Sequence, residues 1–330
     1  MGVRLLGIGS PLVDLSAAVS DTFLTAHVSG CKGGTLNISD PEKQLILSHA
    51  DGEILRFPGG AAANTVMAAA ELGIASGIFG KVGSDADGEF FKCALQNSGA
   101  SGDFLLTSPE KPTGYCLTLV TPDAERTMRS NLGASLDISE TDAAEVDFSG
   151  IEWVLLEGYF VNTACFETCL KRARNTGCKI AVDICSFELA EKFRVRFVDL
   201  LSQYADLLFA NFEEAAALTQ CENLQEIVTK LSTVTDIAVV KCGANGSTVA
   251  HNGEMLNIPP APINRCVVDT TAAGDYYAAG FFYGLLQNMP LAKCGYAGSL
   301  VSAEIVQQTG TKLSKEQWNK LKHILEQECK

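Results

Sequence analysis

The stretch "DTTAAGDYYAAGFF" (269–282) sets two carboxylates, Asp269 and Asp275, six residues apart around small residues. It reads as the mouth of a helix. The first N–H groups of a helix lack partners and its dipole is positive there, so anions are favoured. A carboxylate at such a place has two readings. As a first-turn charge, Asp275 would contribute about 0.3–1 kcal/mol through the dipole. As a base, it would stand beside a bound anion, with "TAAG" letting backbone N–H groups approach closely. Gly274 directly before the acid allows a tight turn that aims N–H groups and carboxylate at one place. On this stretch alone both readings stay open.

Anion chemistry of the phosphoryl kind needs neutralised oxygens, an oriented acceptor and a base. The usual cradles are missing. No G-x-x-x-x-G-K-[ST] occurs, "GKVGSDADG" is not G-x-G-x-x-G, and "GIGSPL" lacks a third glycine. Other polar residues gather at the ends of apolar runs. "NFEEA" puts Asn211 and Glu214 three apart after "DLLFA", where open parallel sheets bind ligands. The pair would orient Mg²⁺ waters, or simply form a capping box. "KCGANGS" (241–247) would border a nucleotide, or simply turn a hairpin. "PGGAAANT" brings Gly59, Gly60 and Asn64 to a helix start, and Asp14 ends the first strand region. An Asp and an Asn beside exposed glycine N–H groups suit a polyhydroxyl ligand; a turn charge and a solvent-facing amide are the alternatives. Arg129 lies on a hairpin, to close over transferred charge or to face solvent. The four histidines (His27, His49, His251, His323) fall in no metal-ligand spacing.

These residues need a scaffold at strand ends. "WVLLEG", "KIAVDIC", "DLLFAN" and "DIAVVKCG" read as short apolar strands separated by helical stretches. That alternation argues a parallel sheet with helices on both faces. Residues 4–9 add a buried strand, 59–73 an Ala-rich helix, "ASGIFGKVG" a strand and turn, and "SDADGEFFKCALQNSG" a second helix. The last 60 residues read as mostly helical. Two segments break the rhythm. Residues 15–57 are mixed, with few strong helical periods, and "YCLTLVT" and "RTMRS" flank a "PDAE" turn as a hairpin. If they meet in space they make a small sheet, a lid over the strand ends.

Totals narrow the class. The chain has 330 residues, 47% apolar and 19% charged, so a large core is available. A net charge of −14 disfavours nucleic acid as a partner. Twelve cysteines include no C-x-x-C, which fits a reducing cytoplasm better than a disulfide scaffold or zinc site. Cys329 is too close to the end for prenylation, the N-terminal run contains Gly, Pro and Asp unlike a signal core, and no stretch suits a membrane span.

Taken jointly and in order, the motifs resemble the PfkB family of ribokinase-like carbohydrate and nucleoside kinases, over nearly the whole chain. "GGAAANTVMAAAELG" is similar to the family's first signature. "DTTAAGDYYAAGFF" is similar to the second, D-T-x-G-A-G-D, with Ala272 where Gly is usual, and "NFEEA" is similar to N-x-x-E. "GIGSPLVDLSAAVSDTFL", "KPTGYCLTLV", "RSNLGAS", "EGYF" and "QQTGTKLS" look most like the adenosine kinases within the family, although Ser10 stands where those commonly carry Asn. The resemblance implies an α/β three-layer sandwich with a mostly parallel, Rossmann-like central sheet plus a small β-sheet lid. Residues 1–14, 58–111 and 133–330 would form the core, and 15–57 and 112–132 the lid.

The resemblance also implies roles. Asp275 would take the proton of a primary hydroxyl, beside an anion hole of Ala272, Ala273 and Gly274, with Asp269 shaping that turn. Asp14, Ser10, Gly59, Gly60 and Asn64 would hold the sugar, Arg129 would close from the lid, and Tyr159 or Phe160 would stack on a nucleobase. Asn211, Lys241, Gly243, Gly246 and Thr270 would border ATP, and Glu214 would hold Mg²⁺ through water. The expected function is phosphoryl transfer from ATP to a nucleoside, adenosine first. A sugar kinase acting on fructose or ribose is the alternative, and a non-catalytic nucleoside or sugar sensor is the alternative of another class. A monovalent cation near the second signature, and a monomer or a homodimer through the lid, complete the expectation.

Overall fold

The computed structural model describes residues 2–50, 52–123 and 125–328. The sequence features involving Asp51, Ala124 in the "PDAE" turn and Cys329 therefore lie partly or wholly outside the described residues. The strands in chain order are β1 (Leu5–Ile8), β2 (Leu12–Ala18), β3 (Thr35–Asn37), β4 (Leu55–Gly59), β5 (Ser76–Gly83), β6 (Leu105–Ser108) and β7 (Thr113–Val120). They continue as β8 (Arg126–Gly133), β9 (Trp153–Glu157), β10 (Lys179–Asp183), β11 (Leu207–Asn211), β12 (Ile237–Lys241), β13 (Ser247–His251) and β14 (Glu254–Ile258). Nine of them form one sheet in the order β14-β13-β12-β11-β10-β9-β1-β5-β6. It is parallel from β12 to β6, and only the β12–β13–β14 meander runs antiparallel.

Successive side chains of a strand point to opposite faces, so apolar runs without alternation must be covered on both sides. Leu155, Phe209 and Val239 pack on one face against the helices Ala61–Glu71 and Ala273–Leu286. Val154, Leu156, Leu208 and Val240 pack on the other, with Phe166, Leu170 and Phe197 from the helices Ala164–Asn175 and Arg194–Tyr204. The helix Ala273–Leu286 is buried almost all round. Its glycines let the helix Leu291–Ile305 approach: a Cβ on Gly280 would meet the backbone of Ala297 and Gly298.

The other five strands form a second sheet in the order β3-β8-β7-β2-β4, with β2 and β7 parallel and β7 and β8 an antiparallel hairpin. Val13, Leu15, Tyr115, Leu117 and Leu119 form its own core with Leu24 and Ile46. Leu24 and Ile46 come from two helices, Asp21–His27 and Asp40–His49, that corrects the reading of 15–57 as poor in helix. Both helices are set by their caps: Ser20 Oγ accepts from Phe23 N–H, and Ser39 Oγ from Glu42 N–H, with Pro41 in the first turn. The second sheet begins at Leu12 and reaches Gly59 and Gly133, so its strands run on into residues that the sequence reading gave to the core. No helix among the described residues is long and apolar enough to cross a membrane.

Candidate active site

The parallel strands deliver one polar side chain each at their carboxyl ends. Glu157 closes β9, Asp183 closes β10, Asn211 closes β11 and Lys241 closes β12. Asp183 is level with Glu157, and Asn211 with Lys241. The helix Ala273–Leu286 starts over this row, with Asp275 in its first turn.

Asp275 is held from the side by the Ala-rich helix. Asn64 Nδ2 donates to Asp275 Oδ2 at 2.9 Å, and Thr65 Oγ1 donates to the Asp275 carbonyl at 3.2 Å. Asn64 is 6% exposed, so it is not the solvent-facing amide of the bland alternative. Burial pushes the Asp275 carboxyl up to about 7; the Asn64 hydrogen bond and Lys241 restrain that rise, while Asp183 and Glu157 add to it. A base poised near neutrality suits proton abstraction.

Ala272 takes a left-handed conformation, φ 60°, immediately before the helix. That conformation costs a non-glycine residue about 1–2 kcal/mol, and strain of this kind collects at ligand clamps. Ala273 N–H donates to the Thr270 carbonyl at 3.2 Å, so it is not the free anion-hole donor expected of it, and Ala272 stands at the cap before the first turn. Gly274 and Asp275 lie in the first turn, where the helix itself offers their N–H groups no acceptor. Asp269 shapes the turn: its Oδ1 accepts from Thr271 N–H and Oγ1, and its Oδ2 from Gly310 N–H.

Asp14 on β2 faces the same cleft. Burial, then the charges of Asp275 and Asp269, push its carboxyl up to about 8. Gly59 lies directly opposite this carboxylate, and any Cβ there would collide with it. Gly60, φ 104°, touches the Ser10 carbonyl in the same way. Two buried polar atoms among the described residues have no partner, Ser10 Oγ and Asn64 Oδ1. Ser10 Oγ lies beside the Glu157 carboxylate without hydrogen-bond geometry. Buried polar groups are satisfied as a rule, and Asn64 Oδ1 is left for a donor that a water or a ligand hydroxyl would supply.

Glu157 was not singled out by the sequence. Its carboxylate accepts from Ser10 N–H at 2.7 Å and Ala62 N–H at 3.2 Å, so it ties the chain after β1 to the start of the helix Ala61–Glu71. Burial drives its carboxyl up, against those hydrogen bonds. Asp183 was missed as well; it accepts from Lys241 Nζ at 3.2 Å. Burial disfavours the charged ammonium, yet Asp183, Glu214 and Asp275 together raise its pKa.

Asn211 and Glu214 form the capping box: Asn211 Oδ1 accepts from Glu214 N–H and Glu214 Oε2 from Asn211 N–H, each at 2.8 Å. Burial, above all, raises the Glu214 carboxyl. Gly243 and Gly246 turn the β12–β13 hairpin at positive φ. Gly246 packs so tightly that a Cβ would strike the Ile258 carbonyl. Among the described residues no three His, Cys, Asp or Glu side chains converge as a metal cage.

Two further expectations fail. Arg129 does not reach the cleft. It is fully buried, and its guanidinium donates to the carbonyls of Ser29, Cys31, Gly34 and Met128. The strand period decides this: Arg129 pairs with Leu117, whose side chain is in the outer core of the second sheet. Arg126 is the cleft-side arginine. Its guanidinium donates to Thr271 Oγ1 at 2.9 Å and Thr270 Oγ1 at 3.0 Å, and lies 3.5 Å from Asp269. Phe160 also fails as a stacking ring, because it is 3% exposed within the core, whereas Tyr159 is 44% exposed.

Comparison with known proteins agrees with this geometry. Residues 39–318 match the profile of the pfkB family carbohydrate kinases. The adenosine kinase of Dictyostelium discoideum is 28% identical, over 93% of this chain and 96% of its own length. The crystal structure of adenosine kinase from Sinorhizobium meliloti is similar with a TM-score of 0.88 at 28% identity, covering 100% of both chains. That of a probable sugar kinase protein from Rhizobium etli is similar with a TM-score of 0.87 at 28% identity, over 99% and 98%. With the signature helix, its poised acid and a profile match over most of its length, the chain belongs to the PfkB family of carbohydrate kinases, phosphotransferases that act on a hydroxyl acceptor.

Proposed function

We propose that this kinase phosphorylates the primary hydroxyl of a nucleoside, adenosine first, with Asp275 as the base. The observation that carries the reading is the Asn64–Asp275 hydrogen bond at 2.9 Å, with Asn64 Oδ1 of the same amide left without a partner. A sugar hydroxyl both donates and accepts, so it would satisfy Asn64 Oδ1 where the base stands. Asp14, protonated over much of the neutral range, donates to a second hydroxyl.

The inner face of the second sheet favours a nucleoside over a bare sugar. Asp14 is level with Cys116 and Phe57, Cys116 with Ser130, and Thr118 with Met128. These side chains point away from the sheet's own core, and all are half-buried. A face of Phe57, Cys116, Thr118, Met128 and Ser130 beside Asp14 offers apolar and weakly polar contact that suits a nucleobase. Tyr159 stands exposed at the end of β9 as an aromatic edge to that space.

ATP, when bound, supplies the phosphoryl group, and Mg²⁺ neutralises its oxygens. The chain's own residues do the rest. Gly274 and Asp275 N–H groups receive phosphoryl oxygens at the helix start, Arg126 reaches the same turn from β8, and Asp275 takes the acceptor's proton. Asn211 and Glu214 would hold the metal's waters, and Gly243, with open space where a Cβ would stand, would leave room for the nucleotide. The second sheet closes over the acceptor and excludes water. The test is ADP release with ATP and Mg²⁺ across adenosine, guanosine, inosine, cytidine, ribose and fructose. Selective turnover of adenosine supports the reading, and turnover of a free sugar alone overturns the nucleoside assignment.

A further inference from the structure

Lys241 brings a second cation, besides Arg126, to the start of the helix Ala273–Leu286. Its ammonium lies 3.2 Å from Asp183 Oδ2, and a Cβ on Gly274 would meet it at 2.9 Å. Gly274 is in the first turn of the helix Ala273–Leu286, so a cation stands at the positive end of a helix dipole. Those two like polarities repel. Asp183 accepts the one hydrogen bond that the ammonium makes among the described residues, while the Glu214 and Asp275 carboxylates act on it by charge alone and the Phe209 ring lies 6.0 Å away. The side chain is only 14% exposed, so water has little room to serve the remaining two protons. An ammonium and a set of first-turn N–H groups therefore aim at one small volume from two sides. An anion between them turns that repulsion into two attractions.

We propose that Lys241 is a catalytic residue, whose ammonium leaves Asp183 to donate to the phosphoryl oxygens gathered at the Gly274–Asp275 turn. This rests on the reading of that turn as the phosphoryl site and adds a mobile cation to it. Lysine suits the task, with a compact charge on a flexible stem and three rotatable donors. The ammonium keeps its protons throughout; the acceptor's proton goes to Asp275. The competing account is a fixed ion pair, in which Lys241 only neutralises Asp183.

Lys241→Met keeps the bulk of the stem and removes the charge. The expected result is a fall in kcat of about 100- to 1000-fold, as for loss of one donor to developing charge, with the acceptor KM within about threefold. Lys241→Ala should recover at least about a tenfold part of the lost rate with n-propylammonium and none with sodium, by the same reasoning; this variant carries the test if Lys241→Met does not fold. Calorimetry with inorganic tripolyphosphate, without acceptor, separates the two accounts. Wild type should bind, Lys241→Met should bind at least about tenfold more weakly, and Asp183→Asn should bind at least as tightly as wild type. Equal affinity in wild type and Lys241→Met, or equal losses in Lys241→Met and Asp183→Asn, overturns the proposal and leaves a structural ion pair. A wild-type protein that does not bind tripolyphosphate overturns the anion turn itself, and the role of Lys241 with it.

Discussion

Removing the charge of Asp275 should stabilise the protein, and the gain should depend on pH in a defined way. The folded state raises this carboxyl from 3.8 to about 7. Below pH 4 it is protonated in folded and unfolded chains alike, and folding is not penalised. As pH rises towards 7 the unfolded chain releases the proton while the folded chain holds it, so stability is lost over that window. Roughly three pH units separate the two values, an upper bound of about 4 kcal/mol. Partial exposure of the residue and relaxation around it lower the expected figure to about 1–3 kcal/mol. Asp275→Asn keeps an acceptor for Asn64 and avoids the buried charge. It also relieves Asp14, whose carboxyl is raised partly by Asp275. Urea unfolding of wild type and variant at pH 8 and pH 4.5 measures the difference. The variant should be more stable by about 1–3 kcal/mol at pH 8, with most of that gain gone at pH 4.5. A variant of equal or lower stability at pH 8, or a gain independent of pH, refutes the claim that Asp275 is held under electrostatic strain.

Other expectations follow from single observations. The kcat/KM profile should fall on the acid side through about pH 7, because Asp275 must be deprotonated to accept the hydroxyl proton; a profile flat from pH 5.5 to 8 contradicts it. Arg126→Gln should cut kcat by about 100-fold with the acceptor KM little changed, whereas Arg129→Gln should lower thermal stability, since Arg129 staples backbone carbonyls. The reverse pattern in steady-state kinetics and melting would restore Arg129 to the cleft. Ala272→Gly should raise stability by about 0.5–1 kcal/mol in urea titrations, the relief of a left-handed alanine less the entropy of glycine. A destabilised variant would mean that Ala272 is unstrained.

Much of this arrangement was legible because it is written in local chemistry. Apolar runs without alternation marked the parallel strands, and Gly274 before Asp275 marked the turn at a helix start. Asn211 and Glu214 announced their capping box by spacing alone. What escaped was set by tertiary contact. Glu157 and Asp183 are single acids at the ends of apolar strands, and nothing local distinguishes them from any strand-ending charge. Their common position emerges only when β9 and β10 lie side by side. The choice between Arg126 and Arg129 depended on strand register, because an odd offset sends two side chains to opposite faces. A count from Thr127, buried, and Arg126, half-buried, decides it only once the hairpin pairing is fixed. The helices Asp21–His27 and Asp40–His49 were short and weakly periodic, although their serine caps were already visible in the sequence.

The most direct test of the central claim is phosphorus-31 NMR of a reaction with ATP, Mg²⁺ and adenosine, run with wild type and with Asp275→Asn. The account predicts a 5′-monophosphate ester that accumulates with wild type in step with ADP, and a rate at least about 1000-fold lower in the variant. Release of inorganic phosphate without an ester, or ester formation by Asp275→Asn at the wild-type rate, would contradict it.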